Sequence, residues 1–395
     1  MIKKIPLASV LLFSSLCSPM ILADDFSACV LELKKIAKKE GLSTDTIKNT
    51  LGEVNYVARV IELDKKQPEF SQTFDNYFSL RVSDRRIKEG RRLLHKNHEL
   101  LYKLTEKYGV PAQYLMAFWG LETNYGTYKG KMPVLDSLAT LACDPRRSEY
   151  FTGELMKALK LKETYQFEVS TMVGSWAGAM GHTQFMPSAY ADYAIDGDGD
   201  GKADLWNSTV DALTSAANFL QKLGWQRNER WGREVTLPKD FSYEYVGKTH
   251  EQPLIKWAEL GVMKNNGKLL STPDMSATLY LPAGYQGPAF LGYKNFDVIM
   301  RWNRSIFYAI AVGHLADRIN GGVSLTIAPP KQDNLSRERV KLLQVKLNKK
   351  GFDVGKPDGI LGTNSKLGLR AFQRTVGLVA DGFPSEASFD ALGVH

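Results

Sequence analysis

Residues 112–126 read Ala-Gln-Tyr-Leu-Met-Ala-Phe-Trp-Gly-Leu-Glu-Thr-Asn-Tyr-Gly, and they decide how the rest of the chain is understood. Pro111 suits the first turn of a helix, where its missing N–H costs nothing. Asn124-Tyr125-Gly126 supplies a stop. On the helix between them Glu122 shares a face with Leu115, Phe118 and Trp119, at spacings of seven, four and three. A carboxylate on such a face loses water, which favours the neutral acid and raises its pKa. A glutamate held protonated near neutrality can give a proton to a glycosidic oxygen and take one back. The plainer alternative is a helix-end glutamate that reaches solvent or pairs with a lysine.

Fifty residues on, Val173-Gly-Ser-Trp-Ala-Gly-Ala-Met-Gly-His-Thr-Gln-Phe-Met-Pro-Ser-Ala-Tyr190 is dense in glycine and alanine. Small residues let backbones approach closely. The stretch is either a groove lined by exposed N–H groups or a small-residue helix packed on a neighbour. Ser175 and Gln184 are short hydrogen-bonding groups suited to N-acetyl and hydroxyl substituents. A Ser–His–Asp reading would need a Gly-x-Ser-x-Gly nucleophile elbow, and Gly174-Ser175-Trp176 does not supply one.

Together the Gly120–Gly126 segment and the Gly174–Tyr190 block resemble the lytic murein transglycosylase B family, lysozyme-like enzymes that cleave peptidoglycan. The resemblance runs from about residue 65, including Phe70-Ser-Gln-Thr-Phe74, to about 318. It implies a single acid/base, Glu122, acting between N-acetylmuramic acid and N-acetylglucosamine to leave a 1,6-anhydro end. Hydrolysis in the ordinary sense uses two carboxylates, and Asp136, Asp144 and Asp192 are the available second members. The resemblance also makes Ser175, Gln184, His182 and Tyr125 groove residues, with Tyr293, Asn295 and Trp302 in a late active-site helix. Trp302 stands where relatives show tyrosine, and His182 where a tyrosine is common. Trp302 could stack on a sugar ring but brings no hydroxyl. No cofactor is needed for this chemistry.

Asp196-Gly-Asp-Gly-Asp-Gly-Lys-Ala-Asp204 has calcium-loop spacing: oxygens from Asp196, Asp198, Asp200 and Asp204, with a carbonyl at Lys202. Position 12 is Asn207 instead of glutamate, which loses a charge. Asp211 is an alternative ligand, or the N3 member of a helix cap begun by Ser208. A structural Ca2+ or Na+ is the expected occupant, and relatives carry a cation loop here.

The 395 residues are 44% hydrophobic and 24% charged, with a net charge of +8. This excludes a disordered, collagenous or coiled-coil protein. The charge is dispersed, without the basic stripe of a nucleic-acid binder. Residues 1–23 read as a cleavable secretory signal: Lys3 and Lys4, an apolar run to Leu22, then Ala23. No later run could span a bilayer. The expected location is therefore the periplasm, peripheral to the cell wall or outer membrane, and the expected state a monomer. Export leaves Cys29 and Cys143, which form either one long-range disulfide or two separate thiols. With six histidines scattered along the chain, no zinc cluster is expected.

Helices are expected over 27–42, 84–108, 149–163, 208–223 and 295–320, with a strand-and-loop region over 233–290. The architecture that follows is mainly α, with a lysozyme-like core at 24–325 and a small strand-and-loop lobe. A linker at 326–334 precedes a three-helix bundle at 335–395. The bundle, with its leucine spacing and the turns Asp358-Gly359 and Asp381-Gly382, resembles the common peptidoglycan-binding domain. Its second turn departs from the pattern at Phe383-Pro384. The expected partner is the glycan strand of peptidoglycan. A muramidase that admits water, and a wall-binding scaffold without activity, are the competing functions.

Overall fold

The computed structural model describes residues 20–66 and 72–394. The leader at 1–23 lies outside them except for the backbone of 20–23, as do His395 and the first two residues of the Phe70–Phe74 element. Ten helices open the described chain: α1 (Met20–Lys39), α2 (Ala58–Lys66), α3 (Phe74–Arg81), α4 (Asp84–Lys96), α5 (His98–Tyr108), α6 (Ala112–Thr123), α7 (Val134–Ala142), α8 (Ser148–Tyr165), α9 (Pro187–Tyr193) and α10 (Thr209–Lys222). The single helix expected over 84–108 is two. Asn97 interrupts it, donating from Nδ2 to the Leu93 carbonyl at 2.8 Å, so that its side chain competes with the helical ladder.

These helices pack around two cores. Phe74, Leu104, Leu115, Phe118 and Leu220 belong to one, and Leu33, Leu138, Phe151, Leu159 and Tyr190 to the other. The second core is fastened covalently: Cys29 of α1 and Cys143, which caps α7, form a disulfide with Cα atoms 5.9 Å apart. It is also clamped electrostatically. Asp64 of α2 has a side chain 3% exposed and bonds both Arg146 and Arg147. Buried carboxylates need such partners to remain charged.

The stretch from 173 to 186 is not a helix. Residues Met132–Pro133 (β1) and Val173–Gly174 (β2) pair antiparallel, and bridges Gly174–Met180 and Met180–Phe185 fold the chain back on itself. Glycine is required here. A Cβ on Gly130 would lie 1.9 Å from the Gly174 carbonyl oxygen, and one on Gly174 would lie 2.1 Å from that of Ala179.

The expected strand-and-loop lobe is an antiparallel sheet with a short helix. Strands β3 (Gly232–Thr236), β4 (Gln252–Pro253), β5 (Met263–Lys264), β6 (Ser276–Tyr280) and β7 (Ala289–Gly292) lie in the order β4-β6-β7-β3-β5, with α11 (Leu254–Glu259) beside them. The two edge strands are short and one ends in proline, which limits further pairing. The alternation at 277–281 does not separate core from solvent. Alternate residues serve two cores: Leu279 and Leu291 face the lobe's own, while Tyr280 and Phe290 face the first core. The sheet is thus buried on both faces.

After the lobe, the helix expected over 295–320 is also two, α12 (Lys294–Trp302) and α13 (Ile306–Ile319). Asn303 is extended, its Oδ1 accepts from Ser305 N at 3.1 Å, and Ser305 Oγ caps α13 by accepting from Tyr308 N at 3.3 Å. The side chains in this Asn-Arg-Ser segment make the break.

The C-terminal bundle comprises α14 (Arg337–Lys349), α15 (Thr363–Thr375) and α16 (Glu386–Leu392) around Leu343, Leu347, Leu369, Phe372 and Phe389. Each Asp-Gly turn is organised by a buried glutamine on the preceding helix. Gln344 Nε2 donates to Asp358 Oδ1 and Ser365 Oγ, and Gln373 Nε2 to Asp381 Oδ1 and Ser388 Oγ. The connecting chain is strapped down as well: Glu234 accepts from Thr326 N and Ile327 N, and Gln332 donates to the Ala283 carbonyl. Among the described residues no helix is long and apolar enough to cross a membrane.

Candidate active site

Helix α6 is apolar almost all round, with Tyr114 through Gly120 buried, and ends because Asn124, Tyr125 and Gly126 take positive φ values of 48°, 60° and 80°. Left-handed residues end a helix by turning the chain back, here with Asn124 N donating to the Gly120 carbonyl and Tyr125 N to that of Trp119. Glu122 lies in the last turn, half-buried. Its Oε1 accepts from Trp302 Nε1 at 2.9 Å and from the Tyr308 hydroxyl. Tyr308 is 4% exposed, and burial beside the Glu122 charge raises its hydroxyl well above the ordinary tyrosine range. The phenol is thus a proton donor at any working pH.

Trp302 packs against both cores, and the carboxylate sits where they meet. Its ring lies 4.4 Å from Phe118, 5.2 Å from Phe219 and 5.4 Å from Phe185, centroid to centroid. This corrects the sugar-stacking expectation: the indole is wedged among three rings and presents its N–H to Glu122. The missing hydroxyl comes from Tyr308. On one continuous helix, positions 302 and 308 would point about 120° apart; the break at 303–305 lets both reach Oε1. Nothing in a helical-periodicity pattern signals that, and Tyr308 was missed for this reason. Leu115, Phe118, Trp119, Leu213 and Ala216, with Glu122 itself, line a small apolar cavity.

The other expected site residues divide into two groups. Ser175 and Gln184 are half-buried on the turn-rich block beside α6. Ser175 Oγ accepts from Ala179 N at 3.0 Å. Gln184, itself at φ 50°, donates from Nε2 to the carbonyls of Gly181 and Lys129 at 2.9 and 3.1 Å, and so ties the block to the turn that follows Glu122.

The second group is turned inward, against expectation. His182 is 8% exposed and accepts from Trp119 Nε1 at Nδ1, at 3.0 Å, while its carbonyl accepts from Thr123 Oγ1. It is a strut between the block and α6, and it also lines the small cavity beside Glu122. Tyr125 folds back under Gly120 and Gly90 and donates from its hydroxyl to the Arg86 carbonyl at 2.8 Å. Asn295 is fully buried and pins the 226–229 turn by bonding Gln226 N and O and Glu229 O. Tyr293 is buried in the lobe. Tyr125 and Asn295 thereby satisfy backbone groups that the turns leave without partners.

The buried His182 makes folding sensitive to acid. Burial, and to a lesser degree Lys129, lower its pKa to about 4, and burial does the same for His314. The fold favours the neutral rings, so their contribution is complete above about pH 6.5 and is lost as pH falls towards 4. Protonating Nδ1 would also break the Trp119 bond. Each histidine is expected to withdraw roughly 2 kcal/mol by pH 4.5. Thermal unfolding at pH 7.5 and 4.5 checks this: the difference should shrink in His182→Gln, and an unchanged difference would show that other groups titrate.

The acidic loop brings together three of the five expected carboxylates. Carboxylate oxygens of Asp196, Asp198 and Asp211 lie within 4.8 Å of one another, a spread compatible with one Ca2+ sphere. Asp211 is fully buried, and burial raises its pKa; its oxygens accept from Gly197, Asp198 and Asp204 N–H groups. Its own N–H is also capped by Ser208, so the helix-cap reading of Asp211 holds. The Asp200 and Asp204 carboxylates are not in the group. Asp204 is instead occupied by Trp206 N and by both nitrogens of Asn207. The donor set that remains fits a hard cation.

The candidate second carboxylates each have another task. Asp136 accepts from Asn55 N, Asp144 from Arg146, and exposed Asp192 lies 4.0 Å from the Lys157 ammonium.

Residues 25–317 match the family described as transglycosylase SLT domain, and 336–392 match the peptidoglycan binding domain. The chain is 30% identical over 309 residues to membrane-bound lytic murein transglycosylase B of Escherichia coli strain K12, covering 73% of this chain and 81% of that protein. SltB3 from Pseudomonas aeruginosa, crystallised with NAG-anhNAM-pentapeptide, is 40% identical and superposes with a TM-score of 0.90, over 93% of this chain and 99% of that one. The Escherichia coli lytic transglycosylase Slt35, solved with calcium, is 29% identical with a TM-score of 0.63, over 74% and 92% of the two chains.

Proposed function

This chain belongs to the lytic murein transglycosylase family of lysozyme-like enzymes, and from that premise we propose that it cleaves peptidoglycan glycan strands with Glu122 as its single acid and base. The observation that carries the proposal is the pair of donors on Glu122 Oε1 at the junction of two cores. With Oε1 accepting from Trp302 and Tyr308, the transferable proton is carried on Oε2. Glu122 gives that proton to the oxygen linking N-acetylmuramic acid to N-acetylglucosamine, and the C1–O bond breaks. The 2-acetamido group stabilises the positive charge at C1. The carboxylate then takes the proton of the muramic C6 hydroxyl as O6 bonds to C1. Glu122 is protonated again and no water is consumed. Ser175 and Gln184, beside the acid, orient the sugar substituents.

Mass spectrometry of fragments from purified peptidoglycan tests this. Fragments ending in 1,6-anhydromuramic acid, one water lighter than reducing-end products, are expected. Reducing ends would mean a muramidase; sacculus binding without release would mean a scaffold.

On the same reading residues 1–23 are a signal for export to the periplasm and the protein acts as a monomer. Residues 24–325 form the catalytic unit, 326–334 the connection and 335–395 the wall-binding bundle. Asp196, Asp198 and Asp211 would hold a structural Ca2+ that ties the acidic loop to the start of α10. Saturating Ca2+ is expected to raise the melting temperature, by about 2.7 kcal/mol of stability at a hundredfold excess over Kd. Asp198→Asn should abolish the rise, and a rise that persists in that variant would count against the site.

A further inference from the structure

The second Asp-Gly turn docks the C-terminal bundle on the sheet lobe. Asp381 Oδ1 stays within the bundle, accepting from Phe383 N, while Oδ2 accepts from Tyr285 N across the boundary at 2.9 Å. Arg370 of α15 donates to the carbonyls of Glu244 and Val246 at 3.2 and 3.1 Å. Both side chains are buried, and bonds from buried charged groups to backbone fix an orientation. The departure at Phe383-Pro384 belongs to this contact: a Cβ on Gly284 would lie 2.9 Å from the Phe383 ring.

Between the docked faces runs a crevice of about 810 Å3, within the range of ligand pockets. Tyr280 and Tyr285 of the lobe, and Ile360 and Lys366 of the bundle, are among its walls, and Phe307 also lines it. The residue after Phe307 is Tyr308, the donor to Glu122, so one helix, α13, reaches both the crevice and the carboxylate.

Its charged groups are not equally available. Lys248 lies 3.5 Å from Asp297, Glu386 pairs with Arg339, and Arg370 and Asp381 hold the docking contact. Lys366 forms no ion pair among the described residues. Water reaches its side chain, yet desolvation by the surrounding protein and the charge of Arg370 lower its pKa. Lys366 is thus a solvent-accessible cation on the crevice wall, where a bound anion would favour its charged form.

We propose that this crevice receives the peptide stem of the strand being cut, with stem carboxylates facing Lys366. Resting on the acid-base reading above, this makes the bundle a reader of the strand's substituents as well as an anchor. Aromatic walls and a cation without an ion partner suit a short acidic peptide.

The test uses the full chain carrying Glu122→Gln, titrated calorimetrically with the soluble pentapeptide stem, with the same peptide amidated at its carboxyl groups, and with stem-free glycan oligomers. The free-acid peptide should bind at least tenfold more tightly than the amidated one. Adding Lys366→Gln should remove that difference, leaving glycan affinity and melting temperature unchanged. In the chain with native Glu122, Lys366→Gln should raise KM for stem-bearing strands about tenfold at constant kcat. Equal binding of the two peptides, no peptide binding, or an equal loss of glycan affinity would each overturn the proposal. Anhydro products without peptide binding would defeat this inference alone; peptide binding without anhydro products would defeat the acid-base reading alone.

Discussion

Glu122→Gln should reduce strand cleavage by at least about a thousandfold while leaving the protein folded. General acid-base catalysis contributes roughly 10²–10⁴, and here one residue would perform both halves. Glutamine matches the glutamate in shape, and its Oε1 can accept the same two bonds from Trp302 Nε1 and the Tyr308 hydroxyl. The variant has no proton to give and no carboxylate to take one back. Sacculus binding and melting temperature should stay near those of the native chain, and anhydro fragments should vanish. Residual turnover within tenfold of the native rate would mean that another group carries the proton.

Breaking the Cys29–Cys143 bond should have the largest effect on stability. The bridge spans a sequence separation of 114 residues, and the chain-entropy account gives about 4–5 kcal/mol for a loop of that length, with a usual range of about 2–5 when native bridges are removed. Cys29→Ser combined with Cys143→Ser, or reductant on the native protein, should lower the melting temperature by roughly 5–10 °C. The bond joins α1 to the end of α7, whereas the donors to Glu122 come from α12 and α13. Cleavage at 25 °C should therefore persist. An unchanged melting temperature in reductant would show that the N-terminal arm is held by other contacts, the Asp64 clamp foremost.

Helix α6, its stop at Asn124–Gly126 and the glutamate on its aromatic face could be read directly from residues 112–126. Periodicity and glycine placement are local properties, and α6 obeys them. The bundle was equally legible, because its leucines and Asp-Gly turns close a core within one short segment. The acidic loop was half legible: the sequence named Asp196, Asp198 and Asp211, which the fold groups, and also Asp200 and Asp204, which it does not.

Other assignments depended on how elements meet. His182, Tyr125, Tyr293 and Asn295 sit in segments that resemble an active site, and all four are buried. The Glu122–Tyr308 bond required a helix to break between Trp302 and Tyr308. Docking of the bundle used Arg370 and Asp381, which look like surface charges in the sequence. Side-chain spacing records which face of an element is apolar, because that depends on neighbours along the chain. The destination of a polar side chain depends on which backbone groups its spatial neighbours leave unpaired, and those neighbours exist only after the elements have packed. The sequence therefore determined the candidate glutamate, its helix and the order of the segments, and the tertiary structure alone decided what holds that carboxylate and where the bundle rests.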